Sequence, residues 1–173
     1  INCAISDCRA NSQGGGIFLA PSSEVTLDDC TISGCYAYSQ GGGIYLSSSQ
    51  TTTTFENGEI SGCISQLGSA IMLMGSGALY INDSDIKDCI SGGGTTANSG
   101  GAIRTYGNVS ASLYLTRVNF TGNQAKRNQN WDNTLAKDAN GGALFWNARG
   151  TNDTKCVING CTFSGNSSED NGG

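Results

Sequence analysis

The chain has 173 residues, of which only 13% are charged, and its net charge is −5. Basic residues are few and scattered, and no apolar run approaches the 18 residues of a membrane-spanning helix, so we predict neither a nucleic-acid partner nor membrane insertion of this segment. The lack of histidine excludes a histidine-based triad, and 26 glycines with a single proline favour a β-rich extracellular protein.

Two short phrases alternate along the chain. The glycine-rich phrase opens at residues 14, 41, 68, 100 and 141 and reads GGGIFL, GGGIYL, GSAIML, GGAIRT and GGALFW. The second phrase is anchored on one apolar residue per repeat: Ile5, Ile32, Ile60, Ile86, Phe120 and Phe163. Successive anchors are 27, 28, 26, 34 and 43 residues apart, and a period of this length is typical of a solenoid.

Each repeat contains two apolar segments that alternate with period two, which predicts β-strands, and no helical stripe occurs. Two or three strands in about 27 residues predict an all-β parallel β-helix of five to six coils, stacked about 4.8 Å apart. Besides the anchors, two inward columns are predicted: Ile17, Ile44, Ile71, Ile103 and Leu144, and Leu27, Phe55, Ile81, Leu115 and Ile158. The glycines are expected at a sharp corner, where some adopt positive φ.

The chain begins halfway through one repeat, and its last residues, SSEDNGG, contain the two glycines that open another glycine-rich phrase. We therefore predict that residues 1–173 are one β-helix segment inside a longer repeat protein. A cut solenoid exposes strand edges and an open apolar core. The expected partners are adjacent coils, or subunits of the same or a related surface protein.

The motif pair GGA[IL] and FxxN resembles the repeats of the polymorphic outer-membrane proteins, which are chlamydial autotransporter adhesins. The matching stretches are GGAI (100–103) with FTGN (120–123), and GGAL (141–144) with FSGN (163–166). Earlier coils depart from this pattern and carry IxxC. The resemblance implies a right-handed parallel β-helix stalk at a cell surface with a role in adhesion, and hence a host receptor or a glycan as a further partner.

The eight cysteines follow the repeat. Three residues after an anchor lie Cys8, Cys35, Cys63 and Cys89, and two residues before an anchor lie Cys3, Cys30 and Cys161. Adjacent coils bring such positions within disulfide range, which predicts the bridges Cys3–Cys30, Cys8–Cys35 and Cys63–Cys89. Cys161 is expected to pair with Cys156 or with a cysteine of a further coil. The alternative is a ladder of buried free thiols, whereas this many cysteines favours an oxidising compartment.

Five N-x-[ST] sequons occur in the sequence. Asn108 and Asn152 are predicted to lie in loops, and Asn82 and Asn119 at outward strand positions, so these four are candidate glycosylation sites. Asn166 takes the ladder position of the cysteines. Its amide is predicted to be buried and hydrogen-bonded to neighbouring coils, which disfavours a glycan there.

One cluster of acidic residues is the only candidate for a catalytic or metal-binding site. Asp28 and Asp29 are predicted to stack near Glu56, with Asp83 and Asp85 on the next coil. Acids about 5 Å apart serve glycosidases or hold calcium. The column then changes to Thr116 and Arg117, and neither a calcium-binding β-roll repeat nor a zinc motif occurs. We therefore predict no catalytic residue, no metal and no cofactor.

Two surfaces are candidate partner contacts. Directly after the inward isoleucines come Phe18, Tyr45, Met72, Arg104 and Phe145, which alternation places outside. The alternatives are that a loop covers them, or that the phase is one residue off and they are core. The insertion at residues 126–140 offers Trp131 with basic neighbours, or else Trp131 packs on the coil below.

The sequence thus predicts a non-enzymatic, extracellular or cell-surface repeat glycoprotein that acts as a rigid structural or adhesive stalk within a filamentous assembly. A polysaccharide lyase or glycoside hydrolase of the β-helix type, using the face of Asp28, Asp29 and Glu56, is the alternative.

Overall fold

A computed structural model describes residues 2–47, 51–92, 99–106, 110–127, 139–147 and 154–173. Throughout these ranges the regular structure is β, and the paired strands are parallel. Four long sheets run along the molecule, each built from one strand per coil. The chain is the parallel β-helix that its repeat predicts.

The strands are numbered in chain order and grouped here by sheet. Sheet 1 holds the anchor strands β1 (Ala4–Ser6), β5 (Thr31–Ser33), β9 (Glu59–Ser61), β13 (Asp85–Lys87), β18 (Asn119–Thr121) and β23 (Thr162–Ser164). Sheet 2 holds β2 (Arg9–Ala10), β6 (Tyr36–Ala37), β10 (Ile64–Ser65), β14 (Ile90–Gly92), β19 (Gln124–Lys126) and β24 (Ser167–Ser168).

Sheets 3 and 4 complete each coil. Sheet 3 holds β3 (Ile17–Leu19), β7 (Ile44–Leu46), β11 (Ile71–Met74), β16 (Ile103–Tyr106) and β21 (Leu144–Phe145). Sheet 4 holds β4 (Glu24–Asp28), β8 (Thr51–Glu56), β12 (Gly77–Asn82), β17 (Ser112–Thr116) and β22 (Cys156–Asn159). The short strands β15 (Ser99–Gly100) and β20 (Ala139–Asn140) pair at the corner before sheet 3.

The predicted columns are confirmed by the strand register. Each anchor pairs with the anchor of the next coil, from Ile5 and Ile32 to Phe120 and Phe163. The isoleucine column of sheet 3 and the Leu27 column of sheet 4 pair in the same way. These side chains form one continuous apolar core, except Ile158 and Phe163 of the last coil, which are exposed. Burial of this core is the main favourable term for the fold.

A left-handed residue recurs at three of the four corners of each coil, and at the fourth, between sheets 3 and 4, Ser22 and Gly75 have positive φ. The glycine corner before sheet 3 uses Gly14, Gly41, Gly68, Gly101, Gly141 and Gly172. The corner before sheet 1 uses Asn2, Asp29, Asn57, Asp83, Arg117 and Gly160, and the corner between sheets 1 and 2 uses Asp7, Gly34, Gly62, Asp88, Gly122 and Gly165. Positive φ at the glycine phrase is thus confirmed. In the fourth coil the second glycine of the phrase, rather than the first, takes this conformation.

Candidate functional site

The inward cysteines form a ladder of contacts between coils at the corner between sheets 1 and 2. The sulfurs of Cys35, Cys63 and Cys89 lie 3.9, 3.9 and 3.8 Å from the anchor carbonyl oxygens of the preceding coils, those of Ile5, Ile32 and Ile60. Each of these sulfurs also lies 3.4, 3.5 or 3.3 Å from a carbonyl oxygen of its own coil, that of Ser33, Ser61 or Lys87. Each thiol, which has one proton to donate, therefore lies between a carbonyl of its own coil and a carbonyl of the coil before it.

Asparagine takes this position in the last two coils and bonds both a carbonyl and an N–H group of the coil before it. The Nδ2 of Asn123 donates to the Ile86 carbonyl at 2.9 Å, and its Oδ1 accepts from the Cys89 backbone N–H at 3.1 Å. Asn166 repeats both bonds one coil later, to the Phe120 carbonyl and the Asn123 N–H. The side chain of Asn166 is hydrogen-bonded, as predicted, and it is partly rather than fully buried.

All eight cysteines are free thiols in the structure, so the predicted bridges Cys3–Cys30, Cys8–Cys35 and Cys63–Cys89 are not formed there. Burial raises the pKa of the Cys35 thiol to about 11. The side-chain hydrogen bond to Cys63, together with burial, raises the pKa of Cys89. The raised pKa keeps both groups as neutral thiols near neutral pH, and the thiolate is the reactive form.

Of the remaining cysteines, Cys30 is also buried, whereas the others lie nearer to solvent. Cys8 and Cys161 are half-buried, and Cys3 and Cys156 are exposed. The Cys161 sulfur accepts the backbone N–H of Val118 at 3.5 Å, and Ser84 plays the equivalent part for Gly58. Cys156 pairs with Leu113 in the register of sheet 4. Two residues before the anchors, Cys161 and Ser84 thus also join neighbouring coils.

The outward carboxylates are engaged by side chains of neighbouring coils. Asp28 accepts from the Asn57 amide at 2.9 Å, and Asp85 accepts from the Asn119 amide at 2.8 Å. Asp83 makes a two-bond pair with Arg117 at 2.5 and 2.6 Å. The hydrogen bonds from Arg117 lower the pKa of Asp83.

A further pair joins Glu59 and Lys87, whose charged atoms are 2.7 Å apart. The hydrogen bond from Lys87 lowers the pKa of Glu59. The predicted group of Asp28, Asp29, Glu56, Asp83 and Asp85 is thus a stack along the corner, and three of its carboxylates, those of Asp28, Asp83 and Asp85, bind side chains of the next coil. Within the described ranges no group of three or more metal-ligating side chains could hold a metal ion.

On sheet 3, the side chains predicted to face solvent do lie on the outer side of the sheet. They pair in the register Phe18, Tyr45, Met72, Arg104 and Phe145. The phase was therefore correct, but the expected exposure is wrong for most of the column. Phe18 is 51% exposed, whereas Tyr45 and Met72 are 5% and 0% exposed. They form a second small core with Leu67 and Met74. Tyr45 and Met72 are consequently unavailable as partner contacts.

The rest of that column is also covered. Arg104 is 2% exposed, and its guanidinium lies 4.6 Å from the Phe145 ring centre and 5.5 Å from that of Tyr106. Phe145 is half-buried. Burial lowers the pKa of Arg104 to about 10, which leaves it cationic at neutral pH. The aromatic faces thus stabilise a buried cation on the outer side of sheet 3.

The predicted glycosylation sites fall into two groups. Asn119 is exposed and Asn82 is half-buried, and both lie at outward positions of strands. Asn108 and Asn152 lie outside the described residues, as does Trp131 of the insertion.

The described ends of the 126–140 insertion are joined to the last coil. Asp170 accepts from the Arg127 guanidinium and, at 2.5 Å, from the Ala139 N–H, while Glu169 accepts the Arg127 backbone N–H at 2.5 Å. A carboxylate of the neighbouring coil thus bridges the two flanks of the insertion. This contact was not predicted, because nothing local in the sequence links residues 127 and 170.

A family model described as a right handed beta helix region matches residues 1–173. Comparisons with curated proteins and with solved structures find no match. The resemblance to the chlamydial repeats is supported at the level of the β-helix, and its narrower form stays a prediction. No helix of the described residues is long and apolar enough to cross a membrane.

Proposed function

Because the chain belongs to the right-handed β-helix family over its whole length, we propose that it is a non-catalytic, extracellular or cell-surface stalk. The stacked coils serve as a rigid spacer, and its outer faces adhere to a receptor, a glycan or a neighbouring stalk. This proposal rests on the way in which the outward polar side chains are bonded. Asp28, Asp83 and Asp85 each bind a side chain of the next coil instead of converging on a shared point.

Such pairing suits a spacer more than a hydrolase. A glycosidase needs two carboxyl groups that face one substrate bond, one of them able to donate a proton near neutral pH. Here Arg117 holds the pKa of Asp83 below its usual value, and the Asn57 amide occupies an oxygen of Asp28. Paired in this way, the side chains add contacts between coils along the outer surface. Exposed pairs stabilise weakly one by one, so their main effect is to fix the stacking register.

The alternative enzyme function can be tested by substrate turnover. The chain is incubated with pectic, alginate and glycosaminoglycan polysaccharides, and release of products is measured for the wild type, Asp28→Asn and Asp7→Asn. Asp7 is the matched control because it is an aspartate at a different corner. We expect no product above background in any sample. Turnover that disappears in Asp28→Asn and persists in Asp7→Asn would overturn the proposal.

We further propose that the ladder cysteines oxidise in the secreted protein. Each bridge joins two thiols and passes two electrons and two protons to a disulfide oxidant of the secretory compartment. We expect thiol counting on denatured, non-reduced protein to show loss of Cys3, Cys30, Cys8, Cys35, Cys63 and Cys89. The Cys63–Cys89 bridge closes a loop of about 26 residues and is expected to add about 3 kcal/mol of stability. Eight free thiols in protein isolated from an oxidising host would refute the oxidised state.

We also propose that the stalk is glycosylated when a eukaryotic cell secretes it. Asn119 is exposed and its amide makes one bond, to Asp85, whereas Asn166 is partly buried and held by several hydrogen bonds to the preceding coil. Peptide mass spectrometry is expected to find glycan on Asn119, with Asn82, Asn108 and Asn152 as further sites, and none on Asn166. Full occupancy at Asn166 with Asn119 unmodified would contradict the assigned orientations.

A further inference from the structure

The outer face of sheet 2 carries an apolar strip that the sequence pattern did not reveal. Its outward column pairs in the register Arg9, Tyr36, Ile64, Ile90, Gln124 and Ser167. The residues that follow in each strand, among them Ala37, Ser65 and Ser91, are buried, so the column itself points away from the core. Ile64 is 42% exposed, and Tyr38, two residues after Tyr36, is 59% exposed.

These apolar residues adjoin one another in the middle of sheet 2. Strands β6, β10 and β14 are neighbours in sheet 2, so Tyr36, Ile64 and Ile90 form a continuous row, with Tyr38 beside it. We call these four residues the apolar strip. Single exposed apolar side chains are ordinary on a protein surface, but a contiguous row bordered by polar residues indicates a contact surface.

Charge is distributed unevenly along this face. At one end, the Arg9 guanidinium lies 4.5 Å above the centre of the Tyr36 ring. At the other end, Glu169 directly follows β24 and is exposed, with one carboxylate oxygen accepting the Arg127 backbone N–H and with Lys126 of β19 beside it. A positive group therefore lies on the first coil and a negative group on the last, with the apolar strip between them.

We propose that this face pairs with the same face of a second copy, with the two solenoids antiparallel. The two-fold axis runs parallel to the strands, between β10 and β14. This places Ile64 against the partner's Ile90, and Arg9 near the partner's Glu169. A two-fold contact uses the same patch on both copies, so each of these contacts occurs twice.

The charges select this orientation over a parallel one. With parallel solenoids, Arg9 would face the partner's Arg9, and Glu169 would face the partner's Glu169. Like charges across an interface are repelled, whereas the antiparallel arrangement brings opposite charges together. The pairing rests on the proposed stalk function and deepens it, because it names the neighbouring stalk as a lateral partner and sheet 2 as the contact.

Sedimentation equilibrium of the full 173-residue chain, from micromolar to millimolar concentration, tests the pairing. We expect a monomer–dimer equilibrium whose dissociation constant rises by more than about tenfold in Ile64→Asp, because two charges enter the contact for each dimer. Val157→Asp is the matched control. Val157 is 43% exposed, and it lies outward on sheet 4 beside Tyr114. This control is expected to dimerise as the wild type does.

Charge reversal tests the orientation. Arg9→Glu alone is expected to weaken the dimer, and Arg9→Glu combined with Glu169→Arg to restore it. Circular dichroism of each variant verifies folding. A wild-type chain that stays monomeric at millimolar concentration, or a dimer that Ile64→Asp leaves intact, overturns the proposal, as does failure of the double reversal to restore it. Polysaccharide turnover would refute the stalk function without bearing on the dimer, so the two failures are distinguishable.

Discussion

Replacing Asn123 with alanine is expected to lower the free energy of unfolding by about 3 to 5 kcal/mol, because three buried or partly buried groups lose a partner. The Cys89 N–H loses its acceptor, the Ile86 carbonyl loses its donor, and Asn166 loses the bond from the Asn123 amide. Asn123 itself is fully buried, so water cannot replace these bonds without opening the coil. Equilibrium urea unfolding followed by circular dichroism measures the change.

Two further variants show whether the ladder contacts are the cause. Asn123→Cys is expected to lose only about 1 kcal/mol, because cysteine occupies the same position in coils two to four and contacts the anchor carbonyl of the coil before it. Asn119→Ala removes an exposed amide of β18, the strand just before Asn123, and is expected to change stability by less than about 0.5 kcal/mol. If cysteine at position 123 is no better than alanine, the equivalence of thiol and amide is wrong.

Gly42→Ala is expected to destabilise the chain by about 3 kcal/mol, because the wall of the solenoid has no space for a side chain there. An added Cβ would lie 2.5 Å from the Ser69 carbonyl oxygen and 2.6 Å from that of Ile64. Both are backbone atoms of the next coil, so relief requires that coil to shift. The melting temperature and the urea midpoint are both expected to fall.

Gly62→Ala separates crowding from backbone conformation. Gly62 has φ +59°, but the nearest atom to an added Cβ is 3.8 Å away. Only the left-handed conformation is then disfavoured, at a cost of about 1 to 2 kcal/mol. Equal losses for Gly42→Ala and Gly62→Ala would show that close approach of the coils is not what requires glycine at position 42.

The columns were predictable because an inward residue in a stacked coil is constrained by the same residue one coil away. Ile32 packs against Ile60, and Ile60 against Ile86, so the same residue type recurs at the same position of each repeat. The repeat in the sequence therefore identifies the core residues directly. The corner before sheet 1 was not predicted. Its left-handed position accepts asparagine, aspartate, glycine and even Arg117, so no single residue type marks it.

Alternation gave the correct side of sheet 3 for Tyr45 and Met72, but not their burial. Period two determines which side of a sheet a residue takes, and it says nothing about a second layer beyond that side. Leu67, which covers them, lies at the preceding glycine corner and carries no repeat signal. Pairs such as Asp83 with Arg117 were missed for a related reason, since they depend on side-chain direction between coils rather than on local pattern.

If the stacked coils form a rigid rod, the distance between the first and the last coil has a single value. A measured distribution of that distance therefore shows directly whether the rod is rigid. Spin labels are introduced as non-natural amino acids at Ala4 and Thr162, which are exposed and belong to one column of sheet 1. Five coil steps separate them, which corresponds to about 24 Å between their backbones. Double electron–electron resonance is expected to give one narrow distribution near this value, widened only by the label arms. A broad or multiple distribution would contradict the rigid stalk.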